Sequence, residues 1–161
     1  MKNRYYFLIS ILITSLLLAS FTGCSKDNES KEKELINSFI ETYITNPNEN
    51  INIYKKYFTK KAFETAQDNL SLGARTASKG GTYKGDLKYL EIKDLSIEKN
   101  YTSDETYHFY DIEFTLRNTN VVKEKTVQCK ICLEKDNNKW RIGENNRLDP
   151  LILAIWDIWP I

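Results

Sequence analysis

Apolar residues are spaced in three different ways along this chain, and each spacing predicts a different kind of segment. Tyr5 to Phe21 is one uncharged, mainly apolar run. Ser25 to Lys33 has nothing apolar to bury and predicts a solvated tether. From Lys33 the pattern is helical. Leu35, Ile36, Phe39, Ile40, Tyr43 and Ile44 fall on one continuous face. Asn46-Pro47 ends that helix, because the residue before proline avoids the helical region. A second short helix is predicted over Ile51 to Tyr57, with Asn48 or Asn50 capping its start. A third begins at Thr59 as N-cap, with Phe58 and Phe63 as a hydrophobic staple and Phe63, Ala66 and Leu70 as its buried stripe.

Beyond a break over Ser71 to Gly85, which holds four of the six glycines (Gly73, Gly80, Gly81, Gly85), the period drops to two. A first strand is predicted over Leu87 to Glu98. Leu90 and Ile92 alternate in one phase and Leu95 and Ile97 in the other, so a β-bulge is expected at Lys93-Asp94. Asn100 to Glu105 reads as a polar turn. The second strand puts His108, Tyr110, Ile112, Phe114 and Leu116 inward and Tyr107, Phe109, Asp111, Glu113, Thr115 and Arg117 outward, and Asn118-Thr119-Asn120 turns the chain. In the third, Val127, Cys129, Ile131 and Leu133 face inward and Gln128, Lys130, Cys132 and Glu134 face outward. Asp136-Asn137-Asn138 is a hairpin signal, and a short strand follows with Trp140 and Ile142 inward and Arg141 outward. Short turns between successive strands predict an antiparallel meander. One apolar face per strand leaves the leading helices as its cover, which makes the fold α+β.

The opening run is preceded by Lys2 and Arg4 and closes on Phe21-Thr22-Gly23-Cys24. A basic start, a short apolar core and small residues before the cut are the parts of a secretory signal. The segment resembles the lipobox of bacterial lipoproteins, with Phe21 where Leu is commonest. The resemblance implies cleavage before Cys24, acyl chains on the Cys24 sulfur, and a site of work at the extracytoplasmic face of the cell membrane. An uncleaved transmembrane anchor is the alternative, since the run is near the low end of the roughly 17–25 residues a span needs.

The order of elements (leading helices, a glycine-rich crossover, a bent meander and a short Lys-Trp-Arg-Ile strand) resembles the nuclear transport factor 2-like, or cystatin-like, superfamily. Small bacterial lipoproteins, extracytoplasmic domains of conjugation-channel proteins and a non-catalytic domain of some penicillin-binding proteins share that order. The resemblance implies a cone whose bent sheet wraps a helix and leaves a pocket at its open end. The expected organisation is a signal peptide over 1–23, a tether over 24–33, the α+β domain over 34–146 and an apolar, helical tail over 147–161.

Composition narrows the function classes. Removing Lys2 and Arg4 from the 23 basic residues leaves 21 against 22 acidic ones, so nothing favours nucleic acid as a partner. Cys129 and Cys132 form a C-x-x-C spacing, but on a strand residues three apart lie about 10 Å apart and face opposite sides. A disulfide needs Cα atoms within about 7 Å, and zinc needs a second ligand pair. Cys129 is expected as a small core residue and Cys132 as a free thiol on the other face. No metal site and no cofactor are implied.

In the tail, Asp149-Pro150 starts a helix that is apolar nearly all round. It can pack on the sheet or cone mouth as core, dock a partner through Trp156 and Trp159, or lie at the lipid surface. The only histidine, His108, could serve as a general base with Asp94 or Asp111. No Ser–His–Asp set, metal cluster or paired carboxylate motif accompanies it. Three functions remain open at this point. The first is a non-enzymatic lipoprotein that binds a partner in an envelope assembly such as a conjugation or secretion apparatus. The second is a small-ligand lipoprotein with His108, Tyr110 and Trp140 lining the cone. The third is a cone enzyme.

Overall fold

The computed structural model of the chain describes residues 28–46, 50–71, 87–103, 106–144, 146 and 148–158. Cys24 and the leader expected before it, the glycines of the 72–86 stretch, Pro47, Asn48 and Trp159 lie outside the described residues.

Residues 28–45 form helix α1, which starts inside the polar run expected to be a tether. Glu29 and Lys33 stand one turn apart there and pair at 2.9 Å, a spacing that supports helix locally. From Leu35 onward α1 belongs to a compact unit, Leu35–Ile161. Its stripe is covered as expected: Ile36, Phe39, Ile40, Tyr43 and Ile44 are fully buried.

The second helical segment is a 3-10 turn, Ile51–Tyr54, entered through Asn50, whose side chain accepts from the Asn52 N–H. It ends before the predicted Tyr57 because the next backbone groups are used elsewhere. The Ile142 N–H donates to the Tyr57 carbonyl at 2.8 Å, and the Thr59 N–H donates to the Ile142 carbonyl at 3.0 Å. Phe58 thereby forms a parallel bridge with Ile142. The Tyr57 hydroxyl lies 3.0 Å from that of Ser38 and 2.9 Å from that of Thr42, which ties this segment to α1. Burial raises the Tyr57 hydroxyl, but those bonds and the charge of Lys56 bring it below its ordinary value. Helix α2, Lys60–Leu70, begins as its cap predicts, with the Thr59 hydroxyl accepting from the Ala62 N–H. Phe58 and Phe63 are both buried, as a staple requires.

A 3-10 turn, Leu87–Tyr89, leads into β1, Leu90–Ser103. The other strands are β2, Tyr107–Asn118; β3, Lys123–Asp136; and β4, Lys139–Ile142. They form one antiparallel meander in the order β1-β2-β3-β4. The bulge falls where the phase slip placed it. Lys93 opposes Thr115 and Ser96 opposes Glu113, one residue too many on β1, and Asp94 takes a φ of 53°. That extra residue returns Leu95 and Ile97 to the face already used by Leu90 and Ile92. β1 continues five residues past the predicted Glu98. Its polar end is held by ladder pairing, such as Tyr101 opposite Phe109, which hydrophobic patterning does not register. At the β3–β4 hairpin Asn137 and Asn138 have φ of 49° and 62°, the left-handed pair a two-residue hairpin turn needs.

The tail resolves in favour of core. Helix α3, Asp149–Ile158, packs on β3 and β2, and Leu151, Ile152, Ala154, Ile155 and Ile158 are buried. These residues share one hydrophobic cluster with the inner face of the sheet and with the stripes of α1 and α2. The Leu148 carbonyl accepts from the N–H groups of Leu151 and Ile152, so the helix starts one residue earlier than Asp149 as a cap would give. Among the described residues no helix is long and apolar enough to cross a membrane. The fold is α+β, three helices with a four-strand antiparallel meander.

One strand position departs from its alternation in burial. Cys132 is the free thiol on the outer face that alternation predicts, yet it is 1% exposed. The chain returning from β4 is bonded onto it. The Gly143 N–H donates to the Cys132 carbonyl at 2.9 Å, and the Asn146 side chain accepts from the Cys132 N–H at 2.7 Å. Asn146 thus takes the place of a further β4 residue.

Candidate functional site

His108 sits on the inner face of β2, opposite Leu133 of β3 and diagonal to Trp140 of β4. Its ring stacks on that of Trp140 with centroids 3.9 Å apart and planes 26° from parallel. Lys99 of β1 places its Nζ 3.0 Å from His108 Nδ1. An ammonium group has hydrogens but no lone pair, so Nδ1 is the acceptor in this contact. The same Lys99 Nζ lies 6.0 Å from the centre of the Tyr110 ring. The structure therefore brings His108, Tyr110 and Trp140 together, with Lys99 added from the neighbouring strand. The three differ in access: Tyr110 is fully buried, whereas His108 and Trp140 are half-buried. Tyr110 is in the core, and the surface of the cluster belongs to His108, Trp140 and Lys99.

The carboxylates considered for His108 are elsewhere. Asp111 is an odd number of residues along β2 and so lies on the outer face, where it pairs with Lys130 at 3.3 Å. Asp94, at the bulge, is level with Glu113 and Thr115. Six residues of strand put that about 20 Å from His108. The outer face is a ladder of cross-strand polar pairs: Asp111 with Lys130, Glu113 with Gln128 at 2.7 Å, Arg117 with Glu124 at 3.5 Å. A depression of about 500 Å³ on this face is lined by Ser96, Glu98, Asp111, Glu113, Gln128 and Lys130, among others.

Neither strand cysteine is poised as a nucleophile. Burial pushes the Cys129 thiol up to about 12. Burial, with the Glu134 carboxylate adding to it, pushes Cys132 up to about 11. A nucleophilic thiol needs the opposite shift. The two face opposite sides of β3, and both are free cysteines. Among the described residues no group of His, Cys, Asp and Glu is arranged to hold a metal ion.

Of the two tail tryptophans, Trp156 is half-buried against the core. Beside it on α3, Leu153 is 52% exposed. Trp159 and the lipid-attachment candidate Cys24 fall outside the described residues.

A basic groove escaped the sequence reading. It is about 670 Å³ in volume and runs between the 3-10 turn Ile51–Tyr54, the first turns of α2 and β4. Lys55, Lys56, Lys60 and Arg141 line it together with Glu64 and Asp136, over a floor that includes Phe58 and Phe63. The lysine pairs on either side of Thr59 were the available signal. The contribution of Arg141 was not visible, since the hydrogen bond that brings it there, from its guanidinium to the Lys56 carbonyl at 2.6 Å, spans 85 residues.

No protein-family model matches this chain, and no curated protein matches it.

Proposed function

We propose that this chain is a lipid-anchored, extracytoplasmic binding or scaffold protein of a cell-envelope assembly, and that it carries out no chemistry of its own. The observation that carries the reading is the Met1–Cys24 stretch: two basic residues, an uncharged apolar run, Thr-Gly-Cys, and then charge at once. Two acyl chains on Cys24 would hold the protein firmly, at roughly 0.8 kcal/mol for each buried methylene. Further support comes from His108, whose Nδ1 accepts from an ammonium group, and from two cysteines with raised thiols. The bulged β1 and the leading helices suit a cone of the nuclear transport factor 2-like kind, and extracytoplasmic domains of conjugation-channel proteins are among the non-catalytic proteins that share this order of elements. The test is Cys24→Ala in cells fed labelled palmitate, followed by fractionation. The unaltered chain should carry label and sediment with membranes, and the variant should lose the label. Unlabelled, full-length protein in the cytosol, still bearing Met1, would end the proposal.

One observation favours small-ligand binding as a second reading: the His108–Trp140 stack is partly open and has the Lys99 ammonium beside it. Such a surface suits a small aromatic anion. Saturable quenching of tryptophan fluorescence by benzoate, lost in both Trp140→Phe and His108→Ala, would establish it.

A further inference from the structure

We propose that the groove between the Ile51–Tyr54 turn, α2 and β4 is a phosphate-recognition site, in which Lys55, Lys56 and Lys60 bind anions that bear several phosphate groups. The site does not depend on the lipid anchor or on the cone family.

The charge in this groove is concentrated and poorly neutralised. Its lining carries four cations against two carboxylates, while the whole chain has a net charge of only +1. Lys55 and Lys56 form no salt bridge among the described residues. Lys60 reaches Glu64 only at 4.0 Å, and its side chain is 91% exposed. Asp136 is occupied by Arg141 at 3.6 Å. Lys60 and Lys61 also occupy the first turn of α2, which contains no acidic residue. Free amide N–H groups already make that end of a helix positive, so acids are the stabilising choice there. Lys61 is relieved by Glu144 at 2.6 Å, which also raises its ammonium above the ordinary lysine value. Lys60 has no comparable partner. Covering the core does not call for such an arrangement, whereas attracting an anion does.

Two of these lysines rest against aromatic rings. Lys55 Nζ lies 5.5 Å from the centre of the Phe63 ring and Lys56 Nζ 4.7 Å from that of Tyr57. Both residues are exposed, so ring contact orients the ammonium groups without withdrawing them from solvent. Arg141 is fixed by the Lys56 carbonyl and by Asp136, so it shapes the wall. The guanidinium that would suit a bidentate carboxylate is thus already engaged, and the accessible cations are lysines, compact point charges that suit phosphate oxygens. Several lysines along a groove match a row of phosphate groups better than a single ion. A soluble phosphate polymer and the headgroups of an anionic bilayer both present such a row.

The test is lysine acylation of the full chain in neutral detergent, read by peptide mass spectrometry. Three additions are compared: inorganic polyphosphate, phosphatidylglycerol mixed micelles, and polyaspartate, each against phosphatidylcholine micelles. Lys55, Lys56 and Lys60 should be protected at least fivefold relative to Lys88 and Lys139 by polyphosphate, by phosphatidylglycerol, or by both, and not by polyaspartate. Protection by phosphatidylglycerol alone identifies headgroups as the source. Protection by polyphosphate identifies the phosphate group itself. The triple variant K55A/K56A/K60A should bind about 100-fold more weakly, with an unchanged near-ultraviolet spectrum. Uniform protection of all lysines, equal protection by polyaspartate, or none with either phosphate probe overturns the proposal. The footprint on the unaltered chain decides the matter even if the triple variant does not fold.

Discussion

Replacing Asn146 by Ala should unclasp the return segment after β4 and open Cys132 without unfolding the protein. The Asn146 amide accepts from the Cys132 N–H at 2.7 Å, donates to the Cys132 carbonyl at 3.2 Å, and donates to the Gly143 carbonyl. Truncation removes all three bonds. The Cys132 carbonyl keeps the Gly143 N–H, but the Cys132 N–H is left without its acceptor. A lost hydrogen bond costs about 1 kcal/mol and an unpaired buried donor about 1–3 kcal/mol, so the variant should lose about 2–3 kcal/mol. A domain of this size has about 5–15 kcal/mol to lose, so it stays folded. The thiol gives a local readout. With Cys132 at about 11, only about one molecule in 1,000 is thiolate at pH 8. Returned to the ordinary value of 9.0, about one in ten is. Alkylation of Cys132 by iodoacetamide should therefore quicken about 100-fold in Asn146→Ala, while Cys129 in the same digest stays slow. A melting temperature and a Cys132 alkylation rate both equal to those of the unaltered protein would refute the clasp.

Three further outcomes are expected. Phe39, fully buried and in ring contact with Tyr43, Tyr54, Tyr57 and Phe58, is the centre of the aromatic packing, so Phe39→Ala should cost about 3–5 kcal/mol in urea unfolding; a loss under 1 kcal/mol would place the centre of the core elsewhere. Val122 is 73% exposed with a φ of 51°, a conformation costly for a β-branched residue, so Val122→Asn should stabilise by about 0.5–1 kcal/mol, and a lower melting temperature would contradict this. Finally, stability should fall with pH above about 9. There the unfolded chain releases the Cys129 proton, whereas the folded chain keeps it up to about 12. Cys129→Ala should flatten this slope, and an unchanged slope would exclude the thiol as its source.

The readable parts of the fold were those decided by local spacing. The buried stripe of α1, the Thr59 cap with its Phe58–Phe63 staple, the Asn137-Asn138 turn and the bulge at Asp94 each lie within a few consecutive residues. A phase slip in alternation has one economical solution, an inserted residue, and β1 adopts it. The candidate site was half legible. Alternation put His108 and Tyr110 on one face, and it also separated Asp111 from them. It could not reveal that Lys99 would reach His108, because that contact depends on the register between β1 and β2, which the bulge shifts.

By itself, then, the sequence determined the α+β order of elements and the inward and outward faces of the strands. Tertiary structure alone decided that the apolar tail is core, that Cys132 is covered, and that Arg141 meets the lysines of the 55–60 segment. The physical reason is the same in all three cases. Each outcome depends on a partner many residues away, and local hydrophobic patterning records that a surface must be covered but not which segment covers it.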